Sequence, residues 1–269
     1  MKFNTIQNKI ILMQNNREDY TYEQYFTEIR QMMHGFGDSS EPLIESAKII
    51  EEVVLQQMRT IVRKACEISE KRGNSKKGIC ISAEDLIFLL RKNKVKLQRL
   101  LKYLDIVQNE NASTIDEVKQ QRCIRAEIMT RSMDEARYLK FSKARNASFA
   151  NKNRHKFSDW IAPDITKQAY IILGYLAYET VAQIIDFALL VRQDQNKIYG
   201  DAIDRLRLSY VNPYTYKPYY HGKQVAVTKP ITPAEIIEAL RRYWSPQLDM
   251  TGPFNRWSMR KPHLKLLSS

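Results

Sequence analysis

Glycine and proline are scarce in this chain, with eight and nine residues among 269. A β-rich protein needs many tight turns, which these residue types supply, so their scarcity favours a helical protein. The three cysteines, Cys66, Cys80 and Cys123, lie far apart and include no C-x-x-C pair. That spacing argues against a zinc site or a disulfide framework and suits a reducing compartment.

Catalytic motifs are lacking as well. The four histidines are scattered, and none stands in an H-E-x-x-H pattern. The sequence has no phosphate-binding P-loop, no dinucleotide fingerprint and no G-x-S-x-G. We therefore expect a protein that is not an enzyme, with no cofactor, no metal and no small-molecule substrate.

The sequence also lacks a long apolar run free of charge. The longest apolar run, 171–191, contains Glu179 and Asp186, and each central charge would cost about 3 kcal/mol in a bilayer. We expect a buried helix there and no membrane association. The length suggests two domains, and a hydrophobic content of 43% is enough for a substantial core.

One kind of charge is in excess, with a formal net charge of +13. Such an excess attracts polyanions and aids solubility. By itself it does not distinguish nucleic-acid binding from an ordinary basic surface.

Two similar short stretches open with comparable residues, "ISAEDLIFLLRK" from Ile81 and "ITPAEIIEALRR" from Ile231. Each has a hydroxyl residue followed three positions later by an acid, which is the spacing of a helix capping box. A long helix is predicted before each stretch, over 42–71 and 167–195, because apolar residues recur every three or four positions. The chain therefore repeats one unit of short helix, long helix and capped short helix.

The repeat predicts the domain organisation. Between the two units, 116–143 has helix-forming composition and is polar almost all round, which is typical of a spacer or of a helix lying on a partner. We expect a flexible N-terminal segment, a first unit, a charged helical linker, a second unit and a basic C-terminal tail, over 1–20, 21–104, 105–150, 151–245 and 246–269.

A long helix flanked by two short ones is the layout of the histone fold. One copy would leave several apolar side chains in water at about 1.5–3 kcal/mol each, against a total domain stability of about 5–15 kcal/mol. We therefore predict an all-α protein with tandem histone folds that form an intramolecular pseudo-dimer. Two unrelated helical bundles are the alternative. The predicted pairing residues are Val54, Met58, Ile61, Leu86, Leu90, Val181, Ile184, Ala188, Ile237 and Leu240.

Several long strings resemble the Spt-three family of the SAGA transcription co-activator. The resemblance covers about 26–244 and includes "FTEIRQMMHGFGDSSEPLIESAKIIEEVV", "ISAEDLIFLLRKNKVKLQRLLKYL", "DEARYLKFSKARNASF", "KFSDWI" and "LAYETVAQIIDFALLVRQD". It implies a nuclear co-activator subunit whose halves are similar to two TFIID subunits that are separate chains. It also implies that the partners are the TATA-binding protein, which the subunit binds or delivers to promoters, and other SAGA-type subunits.

Two acids on the second long helix are candidates for the contact with the TATA-binding protein. Glu179 and Asp186 lie seven residues apart, roughly on one face. A carboxylate beside so much apolar surface must pair or reach water, so pairing with Lys or Arg inside the chain is the alternative. If Glu179 faces outward, Glu179→Lys should weaken this contact without lowering the melting temperature.

A DNA-compacting histone doublet is the alternative function. Its phosphate or partner contacts would be the basic loop residues Lys71, Arg72, Lys76 and Lys77, for which a solvated turn is the competing interpretation. Nucleosome-like wrapping is disfavoured because the other loops, "GDSSEP" and "APDIT", carry acids and no cation. Weak direct contact with DNA stays open.

Aromatic residues cluster around the basic linker. They could form a docking surface, although ordinary packing of the linker on the second unit is the favoured interpretation. The four residues are Phe141, Phe149, Phe157 and Trp160.

Overall fold

The computed structural model describes residues 25–72, 81–104, 116–131, 133–149, 157, 161, 165–198, 229–244 and 267. Apart from one isolated bridge between Ile81 and Ile165, the regular secondary structure within these ranges is α-helical, which confirms the all-α prediction. The eight helices are α1 (Phe26–Phe36), α2 (Ile44–Lys71), α3 (Ala83–Leu90), α4 (Lys94–Tyr103), α5 (Glu117–Thr130), α6 (Glu135–Arg145), α7 (Lys167–Ile198) and α8 (Pro233–Trp244).

The turn between α1 and α2 depends on a glycine. Gly37 has φ +120°, a conformation that side chains with a Cβ rarely adopt. Its N–H donates to the carbonyl of His34 at 3.1 Å, and the N–H of Asp38 donates to that of Met33 at 3.0 Å. These bonds satisfy carbonyls that the helix end would otherwise leave unpaired, so the chain can turn towards α2.

The two long helices, α2 and α7, pack against each other. The stripe predicted on α2 is buried, with Ile50, Val54 and Met58 fully inaccessible to solvent. On α7 the buried positions are more numerous and recur along the helix from Ala169 to Val191, with Leu173, Ala177 and Val181 among them. Apolar surface removed from water on both helices supplies the main stabilisation of the core.

The short helices cross between the units. Helix α3 contacts both α2 and α7, and α8 contacts both α7 and α2. Each short helix therefore seals the seam between the two long ones. Nine predicted pairing residues lie in this buried region: Val54, Met58, Ile61, Leu86, Leu90, Val181, Ile184, Ala188 and Leu240.

The prediction for Ile237 is wrong, because this side chain is 48% exposed. Helix α8 turns Ile236, Ala239 and Leu240 inward instead. Successive residues of an α-helix point about 100° apart, so of two adjacent isoleucines only one can face the core squarely.

The linker also departs from the prediction of one helical stretch over 116–143. It forms α5, which ends at Thr130, and α6, which begins at Glu135. The side chain of Asp134 accepts a hydrogen bond from the N–H of Arg137 at 2.8 Å and caps α6. This break is not marked by glycine or proline, the usual sequence signals.

Residues Lys167–Gln195 of α7 meet the length and hydropathy of a membrane-spanning helix. Within its most apolar window, 61% is buried inside the protein. Contacts with α1, α2, α3 and α8 cover the helix, as they would the central helix of a protein core.

Candidate protein-interaction site

Helix α3 begins with the predicted capping box. The N–H and Oγ of Ser82 donate to Oδ2 of Asp85 at 3.0 and 2.8 Å. The same carboxylate, only 1% exposed, is 3.3 Å from Nη2 of Arg72 at the end of α2. Arg72 also pairs with Glu84 at 2.5 Å. One arginine therefore joins the end of the long helix to the start of the short one.

Helix α8 repeats this arrangement. The N–H of Thr232 donates to Oε2 of Glu235 at 2.7 Å, and Arg192 of α7 donates to both carboxylate oxygens at 2.7 and 2.8 Å. Burial raises the pKa of Glu235, but the ion pair with Arg192 and the hydrogen bonds from Thr232 together outweigh burial and hold the pKa below its usual value. Glu235 is therefore a charged group that holds the start of α8 on α7, and it is not a free acid.

The segments before these capped helices contact the opposite unit. Ile81 forms a parallel bridge with Ile165, and its carbonyl accepts from the N–H of Thr166 at 3.2 Å. In the other direction, the N–H of Ile231 donates to Oδ1 of Asp38 at 2.8 Å. The contacts are reciprocal, because each unit binds the chain just before the other unit's capped helix.

Asp38, which accepts the hydrogen bond from Ile231, is removed from water. Its side chain is fully buried, and burial raises its pKa. The N–H groups of Ser39 and Ile231 oppose this rise by donating to Oδ1. A buried carboxyl that accepts backbone hydrogen bonds fixes the loop position.

A cluster of arginines and acids lies where α4 and α5 meet α7. Arg99 of α4 pairs with Asp116 at 2.7 Å and with Glu179 at 3.0 Å. Arg122 of α5 bridges Glu179 at 3.1 Å and Asp186 at 2.7 Å. The linker helix is thus held on the second long helix by charge.

A third arginine extends this arginine–acid cluster towards α1. Arg125 donates to Oδ1 of Asp186 at 2.8 Å and to the carbonyl of Phe36 at 2.8 Å. Arg122 lies over the ring of Phe36, 5.7 Å from its centroid. Since α5 buries little apolar surface of its own, with Ala126 as its buried residue, these polar contacts position it.

The electrostatics of the cluster favour the charged forms of Arg122 and Asp116. Burial lowers the pKa of Arg122, but its interactions with Glu179 and Asp186 together more than compensate and raise it. Burial raises the pKa of Asp116, but the hydrogen bonds from Arg99 and the N–H of Lys119, with the charges of Arg99 and Arg122, together leave it lowered. The cluster borders a cavity of about 190 Å³ whose wall includes Arg99, Arg122 and Glu179.

Comparison with known proteins identifies the fold of the first unit. Residues 23–122 match the family described as the transcription initiation factor IID 18 kD subunit. TFIID subunit 13 of Arabidopsis thaliana is 34% identical to this chain over 94 residues. The matched region is 34% of this chain and 70% of that relative. The family match ends at residue 122, before the second unit.

Two longer relatives extend through both units. The SAGA complex subunit Spt3 of Drosophila melanogaster is 29% identical over 81% of this chain. That of Schizosaccharomyces pombe is 24% identical over 85% of it. The chain belongs to the Spt3 family. It spans 66% of the Drosophila protein and 92% of the fission-yeast one. Both of these relatives are named as subunits of the SAGA complex.

The two acids predicted to contact a partner in this Spt3-family chain do not face outward. The side chains of Glu179 and Asp186 are only 15% and 16% exposed, and both are occupied by arginines. The outward orientation on which the Glu179→Lys hypothesis depends is therefore absent, and the other interpretation, pairing with cations from inside the chain, is what the structure contains.

The predicted basic loop is only partly described. Lys71 is exposed at the end of α2, whereas Arg72 is engaged by Asp85, Glu84 and the hydroxyl of Ser82. Lys76 and Lys77 lie outside the described residues. Arg72 is accordingly a structural residue of the α2–α3 connection.

The aromatic residues of the linker pack inside the protein. Phe141, Phe149 and Phe157 are buried. Phe149 is 5.6 Å from Phe157 and from Tyr25, between ring centroids. These three are packed inside the protein, but not on the second unit alone as predicted: α6 contacts α1, and the Phe141 ring is 5.3 Å from that of His34, between centroids. Trp160 lies outside the described residues. Where the structure describes the chain, no group of three or more His, Cys, Asp or Glu side chains could hold a metal ion.

The arginine partners were missed by sequence reasoning. A signal was available, since Arg122 and Arg125 are three residues apart on one helix face while the two acids are seven apart on another. Nothing in the local sequence, however, states that these two faces meet.

Proposed function

We propose that this chain is a nuclear, non-enzymatic transcription co-activator subunit of a SAGA-type complex that binds the TATA-binding protein or delivers it to promoters. The similarity to proteins named SAGA complex subunit Spt3 over most of the chain supports this role. Other subunits of such a complex would be its further partners.

The observation that carries the proposal is the reciprocal contact between the units. We propose that 21–104 and 151–245 are two histone folds paired within one chain, joined by the linker 105–150. The contact of α2 with α7 and the two loop contacts support this division. A chain that pairs with itself covers its own apolar seam, and its outer surface is then available for partners.

For the contact with the TATA-binding protein we propose the arginine–acid cluster. Glu179 and Asp186 remain the acidic candidates, acting as part of this cluster and not as free carboxylates. A partner cation that reached Glu179 would have to replace Arg99 or Arg122, which requires a close and desolvated approach. Charge pairs of that kind can contribute strongly to affinity when they are well matched.

Titration of the full chain with purified TATA-binding protein tests the proposal. Glu179→Gln and Asp186→Asn keep size and remove charge, and we expect each to weaken binding by about tenfold. Glu235→Gln is the matched control, because it also neutralises an arginine-paired acid, but its partner is Arg192 and not an arginine of the cluster. Unchanged affinity in both cluster variants would remove the cluster from the contact, and no binding by the unmodified chain would refute the proposed partner.

The DNA-compacting alternative is tested by the salt dependence of DNA affinity. Each neutralised phosphate contributes close to one unit to the slope of log K against log salt. Because Arg72 is already paired, we expect a shallow slope. A steep slope that flattens when Lys71, Lys76 and Lys77 are replaced by Gln would favour DNA packaging.

A further inference from the structure

Leu267 lies far along the chain from the two units, in a segment expected to be a basic tail, yet it is fully buried in the core. Its N–H donates to Oε1 of Gln57 on α2 at 3.1 Å. Its carbonyl accepts from Nζ of Lys96 on α4 at 2.7 Å. Two side chains of the first unit therefore bind both backbone groups of one distant residue.

Gln57 is an unusual residue for its place on α2. It is fully buried between Val54 and Met58 on the side that faces the core. A buried amide is costly unless it is hydrogen-bonded. Its Oε1 is satisfied by Leu267, whereas no hydrogen-bond partner for its Nε2 is found in the structure as described. The Gln57 amide therefore binds a distant residue of the chain, Leu267.

Lys96 is half-buried and lies on the wall of the cavity beside the arginine–acid cluster. Burial lowers its pKa to about 8, although the nearby Glu179 opposes this effect. A lysine that has lost part of its hydration needs acceptors for its N–H groups, and the carbonyl of Leu267 provides one. The site therefore buries the leucine side chain in the core and presents two polar groups that bind the backbone of that one residue.

We propose that Gln57 and Lys96 form a docking site for a single leucine, and that its occupant is this chain's own Leu267. Because both the N–H and the C=O of this residue are bound while its side chain is buried, one leucine can provide the specificity. Because the occupant is tethered, its effective concentration is high and it outcompetes a free segment of the same kind.

Limited trypsin digestion tests the docking. Cleavage after Lys265 requires the residues on both sides of the bond to enter the protease, so Leu267 must first leave its site. In the full chain, initial release of residues 266–269, measured by mass spectrometry, should be at least about tenfold slower than from a synthetic peptide of residues 262–269. Equal rates would overturn the proposal.

Variants of the full chain sharpen this test. Leu267→Asp should raise the release rate to that of the peptide, whereas Leu190→Asp, at a leucine that is 53% exposed, should leave it unchanged. A fluorescent peptide of residues 262–269 should bind the Leu267→Asp chain and bind unmodified chain at least about tenfold more weakly. If the variant does not fold, the comparison of unmodified chain with peptide still decides. Equal peptide binding by both chains would contradict docking.

Discussion

The two units close their capped helices with the same chemistry but over different lengths of chain. In the first unit, Arg72 stands at the end of α2 and reaches Asp85 across a short loop. In the second, Arg192 lies inside α7 and binds Glu235 with two hydrogen bonds. The second arginine also donates to the carbonyls of Lys229 and Pro230. In the unit with the longer connection, the arginine therefore binds backbone carbonyls as well as the capping acid.

The long helices differ in a related way. Helix α2 has one buried stripe and a charged outer side, whereas α7 is enclosed by helices of both units and carries its acids beneath the linker. Burying an acid costs less when arginines from a separate helix compensate it. The second unit therefore depends on linker arginines that neutralise its two half-buried acids, whereas the first unit contacts the linker through the packing of α6 on α1.

The largest effect is expected from charges placed under both capped helices. Leu86→Asp and Leu240→Asp each bury an unpaired carboxylate, and we expect a loss of at least about 4 kcal/mol and unfolding. Ile237→Asp is the control on the exposed side of α8 and should stay within about 1 kcal/mol. Circular dichroism during urea titration measures all three. A folded Leu240→Asp variant would show that the two units do not share one core.

A smaller loss is expected from Glu179→Lys. The substitution places a fourth cation beside Arg99, Arg122 and Arg125, so we expect about 3 kcal/mol of destabilisation and a lower melting temperature. This reverses the expectation formed from the sequence. Glu52→Lys, at an exposed position of α2, is the matched control and should change the melting temperature little. Equal melting temperatures for both variants would refute the dependence of α7 on the linker.

The smallest effects are expected at the two capping acids, Glu235 and Asp85. Glu235→Gln leaves Arg192 without a carboxylate, and we expect about 2 kcal/mol of destabilisation. Asp85→Asn should cost about half as much, because Arg72 is more exposed and retains Glu84. Chemical denaturation of both variants at neutral pH gives the comparison. A larger loss for Asp85→Asn would mean that the second connection does not rely on its arginine.

Local chemistry made much of this fold predictable. The capping boxes at Ser82 and Thr232 and the apolar stripe of α2 follow from spacing within one turn or one helix. The pairing of the long helices followed from the free energy of leaving such a stripe in water. The separation of α5 from α6 has a weaker local signal, because the aspartate cap at Asp134 stands in a charged stretch without the glycine or proline that usually marks a break.

Long-range polar contacts were beyond sequence reasoning. Arg122 is far from Asp186 along the chain, and many arginines could have served equally well by composition. Leu267 had no pattern around it to set it apart from a solvated tail. In Ile236 and Ile237, periodicity identified an apolar pair but not which member faces inward, since that depends on the exact angle at which α8 meets α7.

The pairing of both units within one chain is tested most directly by sedimentation equilibrium of the purified full chain, with melting followed at several concentrations. We predict a single species with the mass of one chain, helical by circular dichroism, whose melting temperature does not change with concentration. A dimer whose melting temperature rises with concentration, or a chain that is unfolded until a partner is added, would contradict the account.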